Sequence, residues 1–281
     1  MKTTKKILAI AAVLALSVSV LAGCGKKDSS SGESKADTAS TAADTGDSAK
    51  IQTADDLKGK KIGVQLGTTG DIYAGDVEDA KVERYNKGAD AIMALTQGKV
   101  DCVIIDEQPA KVFVSQNDGI EILPEEFANE DYAAVIKKDN QDLLDKVNKA
   151  LKELKEDGTI GKIISSYIPA DGDEAGSYHY TQTVTEGDTL KMATNAEFPP
   201  YEYKEASDII GIDVEIGKAV ADKLGMVLKV EDMAFDSIIS AVNSGKADIG
   251  LAGFTVTEDR KKQINFTESY TNSKQVMIVR K

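Results

Sequence analysis

Short apolar runs alternate with stretches of helical periodicity along most of this chain. The run Lys60-Lys-Ile-Gly-Val-Gln65 predicts a buried strand, followed by the turn Leu66-Gly-Thr-Thr-Gly70 and a helix over 71–75. Strands are predicted at 81–85, 100–105 and 120–123. Between them lie helices at 89–97, with Ala91, Ile92 and Leu95 on one side and Asp90 as N-cap, and at 108–115. A strand at 132–136 leads into 140–156, where Leu143, Leu144, Val147, Leu151 and Leu154 share a helix face. Asp157-Gly158 separates it from a second helix over 159–167. The alternation resumes with a strand at 190–194, a helix at 212–224 and a strand at 227–231. A helix from Phe235 to Gly245, capped by Asp236, and strands at 247–251, 264–266 and 275–279 complete the chain. Such alternation predicts an α/β fold with mostly parallel sheets.

Three regions lack this pattern. Residues 1–23 have a basic start at Lys2, Lys5 and Lys6 and an apolar stretch from Ile7 to Val20, and they run into Cys24 through Leu21-Ala-Gly-Cys24. That order reads as a secretory leader with a lipobox, cleaved before Cys24, whose thiol is then lipidated. Residues 24–50 form a tether: between Gly25 and Lys50 there is no Leu, Ile, Val or aromatic residue, so the segment cannot bury a core. As a flexible coil its ends average roughly 25–30 Å apart. Residues 169–188 are rich in Gly, Asp and Thr and read as a linker, with the chain's one histidine, His179, as a bystander in it.

The net charge of −13 becomes −16 once Lys2, Lys5 and Lys6 are removed, which argues against a nucleic-acid or anionic-membrane binder. The two cysteines do not read as a disulfide pair: Cys24 sits in a processing signal, and Cys102 sits inside an apolar strand. No metal-ligand or catalytic spacing is present, so no cofactor, metal or catalytic residue is expected. The 281 residues suffice for two lobes with cores of their own.

The chain contains an echo of itself. Gly98-Lys-Val-Asp101 and a strand ending at Asp106 match Gly245-Lys-Ala-Asp248 and a strand ending at Gly253. Two similar α/β units imply two lobes, and ligands of such sheets bind beyond the carboxyl ends of the strands. Asp106, Gly253, Gly67–Gly70 and Asn195–Phe198 all fall at such ends. The chain has three arginines, Arg84, Arg260 and Arg280, and a guanidinium in the loop Ala252-Gly-Phe-Thr-Val-Thr-Glu-Asp-Arg260 suits a carboxylate held by two bonds. It equally suits a surface pair with Glu258. A carboxylate for an ammonium, an arginine with helix N–H groups for a carboxylate, and Phe198 and Phe235 for a side chain together fit an amino-acid zwitterion.

The motifs Asn195-Ala-Glu-Phe-Pro-Pro-Tyr-Glu-Tyr, Gly211-Ile-Asp-Val-Glu, Phe235-Asp-Ser-Ile-Ile, 252–260 and Gly59-Lys-Lys-Ile-Gly-Val-Gln-Leu-Gly-Thr-Thr-Gly70 resemble the polar amino-acid-binding lipoproteins of ABC importers. These are family 3 extracellular solute-binding proteins with the type II periplasmic-binding-protein fold. The resemblance covers nearly all of 51–281 apart from the linker, but the segment order departs from the family's: 189–281 follows 51–168 instead of preceding it. It therefore implies a circular permutation, with one lobe at 51–130, the other at 131–281, and the new ends at a crossing between lobes. A monomer is expected, with a domain-swapped dimer as its rival.

The resemblance further implies that Arg260 and the N–H groups near Thr255, Thr68 and Thr69 hold an α-carboxylate. Gly253, beside Ala252, would hold the α-ammonium with Thr255 and Asp106. Phe198 and Phe235 would sandwich the side chain, and Asn195, Glu197 and Gln65 would face its far end. Glu197 would favour a basic L-amino acid; Asn195 and Gln65 would suit a neutral polar one. The implied partners are an L-amino acid and an ABC permease, and the implied location is the outer face of the bacterial cell membrane, through lipid on Cys24. A sensor docking on a receptor and a dehydratase-like enzyme of the same fold are the alternatives.

Overall fold

Two five-stranded sheets organise the described residues, 50–170 and 172–281 of this computed structural model. The leader, Cys24 and all of the tether but Lys50 lie outside them. The first lobe is built from β1 (Lys61–Gln65), α1 (Thr69–Asp76), β2 (Lys81–Tyr85), α2 (Gly88–Thr96), β3 (Cys102–Asp106), α3 (Glu107–Ser115) and β4 (Ile120–Tyr132). The chain crosses to the second lobe and forms β5 (Val135–Ile136), α4 (Gln141–Glu156), α5 (Thr159–Tyr167), β6 (Thr189–Thr194), β7 (Glu197–Phe198), β8 (Glu202–Glu205) and β9 (Asp208–Ile210). It continues through α6 (Ile212–Leu224), β10 (Val227–Asp232), α7 (Ile238–Asn243), β11 (Ile249–Gly250), α8 (Glu258–Lys261) and β12 (Asn265–Phe266), then crosses back as β13 (Thr271–Arg280).

The sheet orders, β2-β1-β3-β13-β4 and β10-β6-β11-β5-β12, follow one plan. In each, three parallel strands are extended by an antiparallel one. The echoed Gly-Lys-x-Asp segments do the same work in both lobes. Asp101 accepts the Lys61 N–H at 2.8 Å, and Asp248 accepts the Lys191 N–H at 2.8 Å. The fold is thus two-lobed and periplasmic-binding-protein-like, with mixed rather than mostly parallel sheets. The cause is local: β13 and β5 enter from the other lobe, at the end where the parallel strands leave, so they run against them.

Strand β13 also corrects the lobe boundary. Placed by sequence with 131–281, it pairs instead with β3 and β4 of the first lobe. Both crossings are therefore continuous, and neither is cut. They are bonded to each other, the Tyr270 N–H to the Tyr132 carbonyl and the Thr267 N–H to the Ala134 carbonyl, each at 2.9 Å. The cut crossing that made lobe exchange a rival is absent. Ile51 and Lys281 line one surface depression together with Lys60 and Asp101.

Helix α4 buries Leu144, Val147, Leu151 and Leu154 as its periodicity predicts, and the Asn140 side chain caps it by accepting the Leu143 N–H at 3.2 Å. Two predicted caps differ. Helix α2 starts after Lys87, with no side-chain cap, rather than at Asp90. Asp236 lies inside a short 3-10 turn, Phe235–Ser237, ahead of α7. The β8–β9 hairpin, polar on its open side, carries no apolar run that would have predicted it. Among the described residues no helix is long and apolar enough to cross a membrane.

The expected linker is a strap stitched to α6 by two carboxylates. Glu215 accepts the Tyr180 N–H at 2.7 Å and the Tyr167 hydroxyl at 2.7 Å, and it contacts His179 Nδ1 at 2.9 Å. Asp222 accepts the Thr183 N–H, the Val184 N–H, the Thr183 hydroxyl and the Tyr180 hydroxyl, all within 3.0 Å. Replacing Asp222 by Ala removes these anchors at once and is expected to cost about 1–3 kcal/mol in chemical denaturation. Proteolysis within 172–188 is expected to accelerate in the same variant.

Candidate functional site

Strands β1 and β3 of one lobe and β6 and β11 of the other point their carboxyl ends into the space between the lobes. The loops there line a narrow pocket of about 10 Å³ between the lobes. Gln65, Thr68, Thr69 and Asp106 line it from the first lobe. Asn195, Phe198, Phe235, Ala252, Gly253, Thr255 and Arg260 line it from the second, with Glu202 in addition. The structure thus brings together eleven residues singled out in the sequence. Glu197 is not among the lining residues.

Arg260 is positioned by the short helix α8, whose N-cap Thr257 accepts the Arg260 N–H at 3.2 Å. Its guanidinium bonds the Thr255 carbonyl and, across the cleft, the Gly67 carbonyl, each at 2.9 Å. It lies 5.5 Å from the ring centroid of Phe235 and 5.4 Å from that of Phe254, and those two rings stack. Carbonyl dipoles and ring faces stabilise a cation, yet among the described residues no carboxylate oxygen lies within 4.0 Å of this one, although it is only 7% exposed. The expected surface pair with Glu258 does not form; Glu258 bonds Lys261 instead. Burial lowers the guanidinium's pKa, and the fields of Glu130 and Asp106 oppose that shift. A buried arginine without an anion, beside the N-terminal turn of α1, is poised for one.

Asp106 ends β3 at 5% exposure and accepts the Tyr132 hydroxyl. Burial, and then the nearby Glu130 carboxylate, push its pKa up to about 7. Glu130 accepts the Thr255 hydroxyl at 2.8 Å and the Gln275 amide at 3.0 Å. Because the Thr255 hydroxyl donates to Glu130, it can accept from the Thr69 hydroxyl 3.5 Å away and keeps one lone pair for an incoming donor. Gly253 has φ 55° with its N–H on Asp213 at 2.8 Å, and a Cβ there would stand 2.9 Å from the Phe198 ring. Only glycine accepts that conformation at that distance without strain.

At the other end, the Gln65 amide donates to the Asn195 side-chain oxygen at 2.8 Å across the cleft, and the Asn195 amide donates to the Met233 carbonyl at 2.9 Å. Glu197 pairs with Lys87 of the opposite lobe at 2.7 Å, outside the cavity. Glu202, Glu130, Gln275 and Tyr132 were missed as members of the site or its wall. For Glu202 the signal is thin, because a Tyr-Glu-Tyr strand start does not say which face turns inward.

The family model for bacterial extracellular solute-binding proteins, family 3, matches residues 75–170 and 190–281. The chain is 42% identical over 92 residues to the arginine-binding extracellular protein ArtP of Bacillus subtilis (strain 168), a match covering 33% of this chain and 36% of that protein. It is 34% identical over 128 residues to the L-cystine-binding protein TcyJ of Escherichia coli (strain K12), covering 45% and 48%. A solved ancestral arginine-binding protein bound to arginine is 45% identical over 27% of this chain and 34% of that one, with a TM-score of 0.27. The chain spans between about a third and a half of the length of the curated relatives named here.

Proposed function

The chain belongs to the bacterial extracellular solute-binding proteins of family 3, and from that premise we propose that it captures a polar or basic L-amino acid between its lobes and delivers it to an ABC permease. One observation carries the reading. One pocket between the lobes holds a buried guanidinium with no carboxylate of the described residues beside it and a buried carboxyl whose pKa stands far above its ordinary value. A ligand with a carboxylate and an ammonium on one carbon satisfies both. Arg260, with the Thr69 N–H at the start of α1, takes the carboxylate, the Thr68 N–H being bonded to the Gln65 carbonyl. Asp106, the Gly253 carbonyl and the Thr255 hydroxyl take the ammonium. Phe198 and Phe235 flank the side chain. An extracytoplasmic location follows from the family, and anchoring through Cys24 completes the reading. Titration calorimetry of a bound amino acid against its amide and its N-acetyl form tests it. Each blocked form is expected to bind at least about thirtyfold more weakly, and equal binding of all three would refute recognition of a zwitterion.

Side-chain choice turns on the far end. With the Glu197 charge already matched by Lys87, the amides of Gln65 and Asn195 read a neutral polar group. Lys87→Ala frees Glu197 and is expected to raise affinity for lysine and arginine relative to glutamine by about fivefold, since a half-exposed pair is worth little more. Competition binding checks the ratio.

The permuted order belongs to the same reading. The joined Ile51–Lys281 surface and the strap at the old junction support it. A reordered chain with 189–281 ahead of 51–168 that failed to bind would count against it.

A further inference from the structure

Glu202 is the ionisable cavity residue for which amino-acid capture, as proposed above, provides no role. It opens β8 with no exposed surface, and no N–H or hydroxyl among the described residues donates to either carboxyl oxygen. Its neighbour is Asp213, in the first turn of α6 and equally buried. Asp213 Oδ2 accepts the Gly253 N–H and the Tyr270 hydroxyl, each at 2.8 Å, while its Oδ1 has no such partner. The Asp213 N–H donates to the Tyr201 carbonyl at 2.9 Å, which sets the two buried carboxyl groups beside each other, with three of their four oxygens lacking a partner among the described residues. Two bare carboxylates at that separation in a dry site repel, whereas one shared proton turns the repulsion into a bond.

We infer that Glu202 keeps its proton and donates it to Asp213, and that the pair positions the ligand loop by tying Gly253 to Tyr270 at the lobe crossing. The donors decide which partner is charged. Asp213 has two and Glu202 has none, so the negative charge rests on Asp213. The surrounding groups agree. Asp106 on β3 adds a like charge toward Glu202, and the hydroxyls of Tyr201 and Tyr270 stay protonated through burial. Burial and Asp213 hold the Glu202 carboxyl well above its ordinary range; burial also lifts Asp213, to about 6, against the opposing pull of its donors. Tyr270 also bonds the Tyr132 carbonyl through its N–H, so the pair links the cavity wall to the hinge by consecutive hydrogen bonds.

The inference rests on amino-acid capture only for its affinity readout. Infrared difference spectra of the ligand-free wild type against Glu202→Gln at neutral pH are expected to show one protonated carboxyl that the variant lacks. Titration calorimetry with an amino acid that the wild type binds then reads the positioning. Glu202→Leu is expected to weaken binding by at least about tenfold, and Glu202→Gln, which can still donate to Asp213, to restore it to within about threefold. Absence of the carboxyl band overturns the inference. So does a Gln variant as weak as the Leu variant, or a loss confined to cationic ligands, which would make Glu202 a direct contact. Should Glu202→Leu fail to fold, the Gln variant and the spectra still decide. If the wild type binds no amino acid, the functional reading fails while the spectra still test the shared proton.

Discussion

Arg260→Ala is expected to bind an amino-acid ligand at least about a hundredfold more weakly than the wild type, by titration calorimetry. No other single change in the cavity is expected to match it. The guanidinium is buried against Phe235 and Phe254, bonded to carbonyls of both lobes, and without a carboxylate of its own. Its removal deletes the one full positive charge that the cavity offers a carboxylate and also the contact to Gly67 that helps the lobes meet. Arg260→Lys is expected to recover little, because a point charge cannot reproduce a planar fork that bonds two carbonyls and still faces an anion. The loss falls on binding more than on folding, since the buried cation is itself costly while its site is empty.

Acid opposes capture. Asp106 stands at about 7 in the ligand-free cavity because burial and Glu130 disfavour its charge. An ammonium beside it favours the charged form, so its pKa falls on binding. Below about 7 the protein must expel a proton to bind, and affinity drops by up to about tenfold per pH unit; above 7 this cost vanishes. Folding runs the other way. The unfolded carboxyl has its ordinary value of 3.8, so between that and about 7 the folded form holds more protons. The stability that Asp106 contributes is present below 3.8 and lost as the pH rises through about 7. Asp106→Asn is expected to flatten both curves and to lower the affinity plateau. Calorimetry and thermal melts of both proteins across this range check the two opposite slopes.

The sequence exposed what depends on local pattern. The Gly-Lys-x-Asp repeats announced two similar lobes because each aspartate fastens the strand beside it, and a backbone job of that kind recurs in sequence. Arg260 was legible because arginine is scarce in this chain and sits in a loop after a strand. Glu197 was misplaced for a reason the alternation of strands could have revealed. In β7, Phe198 turns to the cavity, so its neighbour turns away and meets Lys87 instead. The membership of β13 in the first lobe depends on pairing with strands some 150 residues away in the chain, which no local window contains. The Glu202–Asp213 pair was invisible for a related reason. Asp213 looks like an ordinary acid at a helix start, and only the tertiary fold shows that it is buried against a second carboxyl.

The most direct test of the central claim is thermal denaturation of the protein without residues 1–24 in the presence of each common L-amino acid. A ligand that binds only the folded form adds about 2.7 kcal/mol at a hundred times its dissociation constant. The account predicts a clear rise in melting temperature with at least one polar or basic amino acid, and its loss in Arg260→Ala. A wild type that melts unchanged with every L-amino acid would contradict the claim that this cavity captures one.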